Sequence, residues 1–118
     1  MAIVANSPSG NMTLRISGHR GCVIQNGQQS KIVGFVKPPA KAAISDYGFV
    51  AVIDEEGFLS ILAWVTQDVW KIVHEEKKKF LNVHDIRFVE KNRNILKIDL
   101  EPEGQGPILT CQRDGTWI

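Results

Sequence analysis

The stretch FVAVIDEEGFLSILAWV, residues 49–65, decides the fold of this chain. Its two arms, residues 49–53 and 58–65, are almost continuously apolar and flank the tight-turn sequence Asp-Glu-Glu-Gly at 54–57. This order is typical of a strand, a turn and a second strand. Strands without polar alternation are usually covered on both faces. We therefore expect both strands near the centre of the protein, with core on one side and a helix or a partner on the other.

Further strands are predicted on both sides of this centre. Residues 12–16 alternate between apolar and polar side chains, as a half-buried strand does. Asn26-Gly27 separates two apolar runs and is a strong hairpin signal. The remaining predicted strands follow the centre at residues 83–90, 95–100, 108–111 and 116–118. Because residues 6–10 have turn composition, we predict a flexible tail at 1–10 and a single β-rich domain at 11–118.

One α-helix is predicted at about residues 67–80. Thr66 is a suitable N-cap, and apolar residues recur at helical spacing at Val69, Ile72, Val73 and Phe80. Strands, a central helix and further strands match the element order of an OB-type barrel. An open antiparallel sheet with the helix on one face gives the same order. The predicted fold class is therefore mainly β, as a β-barrel or an open antiparallel sheet, with α+β as the alternative.

Residues 44–62, ISDYGFVAVIDEEGFLSIL, resemble a blade of the β-propellers found in lethal-giant-larvae and tomosyn proteins. The resemblance covers 19 of the 118 residues and does not include the arginine-glycine-proline turn that follows such a strand in that family. A chain of this length does not hold a complete propeller. We therefore interpret the stretch as a generic strand, turn and strand, and we assign no family.

Composition and charge describe an ordinary globular chain. Of its 118 residues, 43% are hydrophobic and 23% are charged, and the formal net charge is +1. That charge is too small for a general nucleic-acid coat, although basic blocks at 1–50 and 71–97 flank an acidic one. The N-terminus lacks a signal-peptide pattern, and no apolar stretch is long enough to span a membrane. We expect a cytoplasmic protein with reduced thiols and no membrane partner.

Patterns for catalysis and metal binding are weak in this sequence. Four residues have the chemistry of zinc ligands, but only the first two are closely spaced: His19, Cys22, His84 and Cys111. A cysteine nucleophile would need His74 or His84 as its base, and no local motif supports that arrangement. We expect no enzymatic activity, no cofactor and no metal, while the sequence leaves the four-ligand site open.

Self-association is the preferred functional hypothesis. Trp70 lies at the edge of the predicted helix's apolar face, where a large aromatic residue can anchor a partner. The apolar end Trp117-Ile118 is suited to adding a strand to a neighbouring sheet. The predicted interface residues are Trp64, Trp70, Trp117 and Ile118. We expect a protein-interaction or assembly subunit that forms homo-oligomers.

Binding of single-stranded nucleic acid is the alternative hypothesis. An OB-like domain would contact phosphates with cations and stack bases on aromatic rings. The predicted residues lie in strands 2 and 3 and in the flanking loops: Arg20, Lys31, Lys37, Tyr47, Lys91 and Arg93. This hypothesis ranks second because a net charge of +1 supplies little non-specific attraction for phosphates.

Overall fold

The computed structural model describes residues 2–66, 69–76, 79–80, 83–90, 94–100, 108–110 and 117. These residues form eleven β-strands and no helix. The strands are β1 Ala2–Asn6, β2 Met12–Ser17, β3 Arg20–Gln25, β4 Gln28–Gly34, β5 Pro39–Ile44, β6 Val50–Asp54, β7 Leu59–Thr66, β8 Val69–Glu75, β9 Val83–Glu90, β10 Asn94–Leu100 and β11 Ile108–Thr110. Within the described part of the chain, no helix is available to cross a membrane.

The strands form three antiparallel sheets in which sequence neighbours pair with each other. Sheet 1 contains β1–β4, sheet 2 contains β5–β8, and sheet 3 has the order β11-β10-β9. None of these three sheets closes on itself over the described strands. The predicted β-rich class is therefore confirmed in its open antiparallel form, and the OB-like barrel is not formed. The blade-like residues 44–62 lie within the four-stranded sheet 2.

The Asn26-Gly27 hairpin is confirmed by the backbone geometry. Gln25 pairs with Gln28, which leaves a two-residue loop between β3 and β4. Asn26 has a φ of 51° and Gly27 a φ of 82°. Positive φ at both central positions is the requirement of a type I′ turn, whose twist matches the twist of the flanking strands. Asparagine and glycine adopt this conformation more readily than other residues.

Sheet 2 lies between the other two sheets, which explains its apolar sequence. Its contact with sheet 1 is a core of Met12, Leu14, Ile16, Val23, Val33, Ala42, Ile44, Val50, Val52 and Leu62. Its contact with sheet 3 is a core of Ala43, Ala51, Ile53, Leu59, Ile61, Ile86, Phe88, Leu96, Leu109 and Trp117. Successive residues of one strand point to opposite faces, so both faces need apolar side chains. Coverage on both faces is confirmed, with a sheet on each side instead of a helix or a partner.

The three sheets approach each other most closely at their first strands. β1 and β2 lie near β5, and β5 lies near β9. The last strands of sheets 1 and 2, β4 and β8, show no comparable approach. The sheets therefore spread apart with distance from the first strands, and long side chains bridge the wider gap.

The predicted helix at 67–80 is wrong over the residues that the structure describes. Val69–Glu75 is strand β8, which pairs antiparallel with β7. Its apolar residues do recur at helical spacing, but three of them are the β-branched Val69, Ile72 and Val73. Such side chains favour a pleated strand, and pairing with β7 satisfies the backbone hydrogen bonds. Over a segment this short, the apolar spacing does not distinguish the two structures.

The predicted flexible tail contains a strand. β1 pairs with β2 so that Ile3 lies opposite Ile16 and Ala5 opposite Leu14. Ile3 and Ala5 pack against the core between sheets 1 and 2. The turn composition of residues 6–10 does form a turn, closed by the Ser7 N–H donating to the Met12 carbonyl at 2.9 Å. This turn connects two strands of sheet 1, because the five residues that precede it form β1 and pair with β2.

Candidate protein-interaction site

Four exposed apolar side chains lie on the hairpin of β7 and β8, where Val69 and Ile72 point to opposite faces of β8. Trp64, Val65, Val69 and Ile72 are 45%, 53%, 52% and 48% exposed. They are half of the eight large hydrophobic residues exposed in the described part of the chain. We name these four residues the hairpin patch. Because exposed apolar residues of a monomer are usually scattered singly, their concentration on one edge hairpin makes this hairpin the candidate contact site.

Irregular pairing between β7 and β8 produces part of this exposure. Trp64 pairs with Trp70 and Thr66 pairs with Val69, so Val65 is the extra residue of a β-bulge. β8 is also the last strand of sheet 2, and no described strand pairs with its outer edge. An apolar strand with an unpaired edge is a template for pairing with another chain.

Trp64 and Trp70 contact sheet 1 through two different interactions. The Trp70 indole Nε1 donates a hydrogen bond to the Ile32 carbonyl at 3.0 Å. The Lys31 ammonium lies 3.9 Å from the centroid of the Trp64 ring, within the range of a cation–π interaction. These contacts join β4 to the β7–β8 hairpin where the backbones are far apart. They orient both rings, while Trp64 keeps nearly half of its surface in water.

Trp117, a predicted interface residue, is buried rather than exposed. It is 4% exposed in the core between sheets 2 and 3. Its ring makes edge-to-face contacts with Phe49 and Phe88, at centroid distances of 5.4 and 6.0 Å. Its indole Nε1 has no hydrogen-bond partner among the described residues. Trp117 therefore serves internal packing, while Ile118 lies outside the residues that the structure describes.

A cleft between sheets 1 and 2 brings together residues from both functional hypotheses. Its volume is 260 Å³, and its lining includes Lys31, Tyr47, Phe49, Trp64 and Trp70. Tyr47 is 73% exposed on the turn between β5 and β6. The cleft therefore offers one cation and several aromatic rings, which are the groups that contact phosphates and bases. Lys31 already covers one face of the Trp64 ring.

Two other predicted nucleic-acid residues, Arg20 and Lys37, do not line this cleft. Arg20 begins β3 and is exposed, in register with Ser17 and Gly34 of sheet 1. Lys37 donates a hydrogen bond to the Glu56 carboxylate at 3.0 Å, also on the surface. That hydrogen bond and the attraction between the two charges raise the pKa of Lys37 above its ordinary value of 10.5. Lys91 and Arg93 lie outside the described residues.

The described residues contain no cluster of three or more His, Cys, Asp or Glu side chains suited to a metal ion. The His19 ring Nδ1 lies 3.1 Å from the Phe35 carbonyl, and Cys22 is a free thiol on sheet 1. His74 Nε2 lies 3.2 Å from a Glu76 carboxylate oxygen. Cys111, the fourth ligand of the zinc hypothesis, lies outside the described residues.

Sequence reasoning missed three of the four residues in the hairpin patch. The helix prediction placed Val69 and Ile72 on a buried apolar face, whereas β8 leaves both about half exposed. The signal that indicates a strand here is the run Val69-Trp70-Lys71-Ile72-Val73, in which β-branched and aromatic residues predominate. The exposure of Val65 depends on the bulge, and no local pattern predicts where a bulge lies.

No protein-family model matches the chain, and no curated protein is significantly similar to it. The likeness of residues 44–62 to a propeller blade therefore remains a resemblance.

Proposed function

We propose that this protein is a non-enzymatic assembly subunit that self-associates through the hairpin patch. The observation that supports this proposal is the concentration of Trp64, Val65, Val69 and Ile72 on one edge hairpin. A second copy can cover these side chains and pair with the free edge of β8 in the same contact. An isologous contact of this kind is the commonest arrangement in homodimers.

The size of the patch sets the expected strength of association. Fully burying one large apolar side chain contributes roughly 1.5–3 kcal/mol, and each of the four is about half exposed. Because both copies bury their four residues in an isologous dimer, the combined contribution is about 6–12 kcal/mol, which lies within the estimated range of about 4–15 kcal/mol for the entropy lost on association. Hydrogen bonds along β8 are therefore needed for a stable pair. We expect the hairpin contact by itself to give a concentration-dependent dimer rather than an obligate one.

Light scattering over a concentration series tests this proposal. We expect the wild-type mass to rise above the 13.2 kDa of one chain as concentration increases. The double variant Trp64→Ser/Val69→Ser removes apolar surface from the patch, and we expect it to weaken association at least tenfold. The matched control is Val36→Ser, because Val36 is 91% exposed but lies outside the patch. Equal association by the patch variant and the wild type would refute the proposal.

We assign this assembly role to the cytoplasm. The support is the free thiol of Cys22, together with a described core that needs no disulfide. Reduced thiols are the ordinary state in that compartment.

The cleft supports single-stranded nucleic-acid binding as a second candidate. Lys31 and Tyr47 converge there with two tryptophans, as stacking and phosphate contact require. Titration with a mixed-sequence oligonucleotide at low salt is the direct test. We expect Lys31→Ala and Tyr47→Ala to weaken binding, and the affinity to fall steeply with salt. Lys79→Ala is the charge-matched control because Lys79 lies near Phe58, away from the cleft. Absence of binding at low salt would exclude this candidate.

A further inference from the structure

The outer face of sheet 1 is a second apolar surface, on the side facing away from sheet 2. One row of cross-strand neighbours on this face runs Val4, Arg15, Cys22 and Ile32. Val4 is 58% and Ile32 is 44% exposed. The core between sheets 1 and 2 uses the opposite face of the same strands, including Leu14 and Val23. No described residue packs over the outer row.

The three sheets repeat one arrangement, which indicates what fits on this face. Each is an antiparallel meander, and the first strand of each sheet lies near the first strand of the next. Sheet 1 covers one face of sheet 2 and sheet 3 covers the other. If the packing of one sheet on the face of the next is repeated beyond sheet 1, another antiparallel sheet covers the outer face of sheet 1. In a repeating series of sheets 1, 2 and 3, the sheet that comes before sheet 1 is a sheet 3, supplied by another copy of the chain.

Sheet 3 has an outer face at the opposite end of the stack, over which none of the described residues packs. Ile86 and Phe88 of β9 point into the core, whereas Asp85 and Arg87 are exposed on the outer side. Val89 alternates with the core residues and is half-buried. This outer face offers Val89 as an apolar contact, Asp85 as an anion and Arg87 as a cation. Val89 has apolar counterparts on sheet 1 in Val4 and Ile32, and Asp85 has a cationic counterpart in Arg15.

We propose that a second copy of this chain docks its sheet 3 on the outer face of sheet 1. Each copy has both faces, so sheet 3 of each copy can dock on sheet 1 of the other. The two contacts then close the pair of copies into a ring. Two copies of three sheets give six, and radial arrangements of such sheets typically contain about 4–8. The sheets are closest at their first strands and spread apart beyond them, so successive sheets are inclined to one another, as a closed ring of sheets requires. The inference rests on self-association, but not on the hairpin patch.

Light scattering on surface variants tests the two interfaces separately. Ile32→Glu places a charge in the proposed sheet contact, and we expect it to weaken that contact roughly a hundredfold. With both interfaces intact, we expect assemblies larger than a dimer. Ile32→Glu alone is expected to leave the hairpin dimer, and Trp64→Ser/Val69→Ser alone the sheet-face dimer. Combining the three substitutions is expected to give a monomer, whereas Val36→Glu is expected to behave as wild type.

The outcomes separate this inference from the proposed function. If Ile32→Glu assembles like the wild type, the sheet contact is refuted, and loss of association in the hairpin variant would still support the proposed function. If only Ile32→Glu loses association, the sheet contact is supported and the hairpin proposal is refuted. A wild type that stays monomeric refutes both. Should Ile32→Glu unfold, as judged by circular dichroism, Val4→Glu on the same face decides the test.

Discussion

At the scale of single residues, burial decides what each tryptophan contributes. Trp64 and Trp117 have the same side chain, but the first is 45% exposed and the second 4%. Removing Trp64 takes away a surface contact with Lys31, whereas removing Trp117 opens the core between sheets 2 and 3. Position in the fold therefore separates a residue available to a partner from one that packs inside.

We expect Trp117→Ala to lower the free energy of unfolding by about 3–5 kcal/mol, because a large buried ring is lost. Trp117→Phe should cost much less, since it keeps an aromatic ring and removes an indole N–H that has no partner among the described residues. Trp64→Ala should change stability little. Urea unfolding of the three variants measures these differences. Similar losses for Trp117→Ala and Trp64→Ala would contradict the burial assignment.

The Lys37–Glu56 ion pair gives a pH dependence with a definite sign. Glu56 raises the pKa of Lys37, so the folded protein binds that proton more tightly than the unfolded chain does. The contribution is fully present below pH 10.5 and is lost as the pH rises through the folded-state pKa. We expect Glu56→Gln to remove most of this alkaline dependence, since Asp54 makes only the smallest contribution to the raised pKa of Lys37. Thermal unfolding midpoints measured across alkaline pH for both proteins provide the test, and identical slopes would contradict the assignment.

At the scale of the elements, tight turns determine where the strands of sheet 2 meet. Gly57, after β6, has a φ of 100°, a conformation that other residues rarely adopt. A Cβ at this position would lie 2.6 Å from the Phe80 carbonyl oxygen. The same glycine accepts a hydrogen bond from the Phe80 N–H at 2.9 Å. The turn after β6 and the segment after β8 therefore depend on one another.

We expect Gly57→Ala to destabilise the protein more than Gly27→Ala. Both glycines have positive φ, which costs another residue about 1–2 kcal/mol. Only Gly57 adds a backbone clash, because a Cβ at Gly27 has nothing within 4 Å. Denaturant unfolding of the two variants gives the comparison directly. A loss at Gly27 equal to or larger than the loss at Gly57 would show that the Phe80 contact is unimportant.

At the scale of the whole molecule, stability is expected to decrease outward from sheet 2. β6 and β7 are the inner strands of the only described sheet with a core on both faces. β1 and β8 lie at sheet edges. We expect amides in β6 and β7 to exchange with deuterium most slowly, and those in β1 and β8 much faster. Hydrogen exchange on the dilute protein measures this order. Slow exchange in β8 that persists on dilution would contradict it.

Residues 49–65 by themselves determined the centre of the protein. An unbroken apolar run with one turn in it has to be covered on both faces, and Asn26-Gly27 requires a tight hairpin. Tertiary structure decided that β8 is a strand, because helical spacing and β-branched composition conflict in that segment and pairing with β7 resolves the conflict. It also decided which apolar residues remain exposed. The hairpin patch depends on a bulge and a sheet edge, both of which exist only once strands from distant parts of the chain have paired.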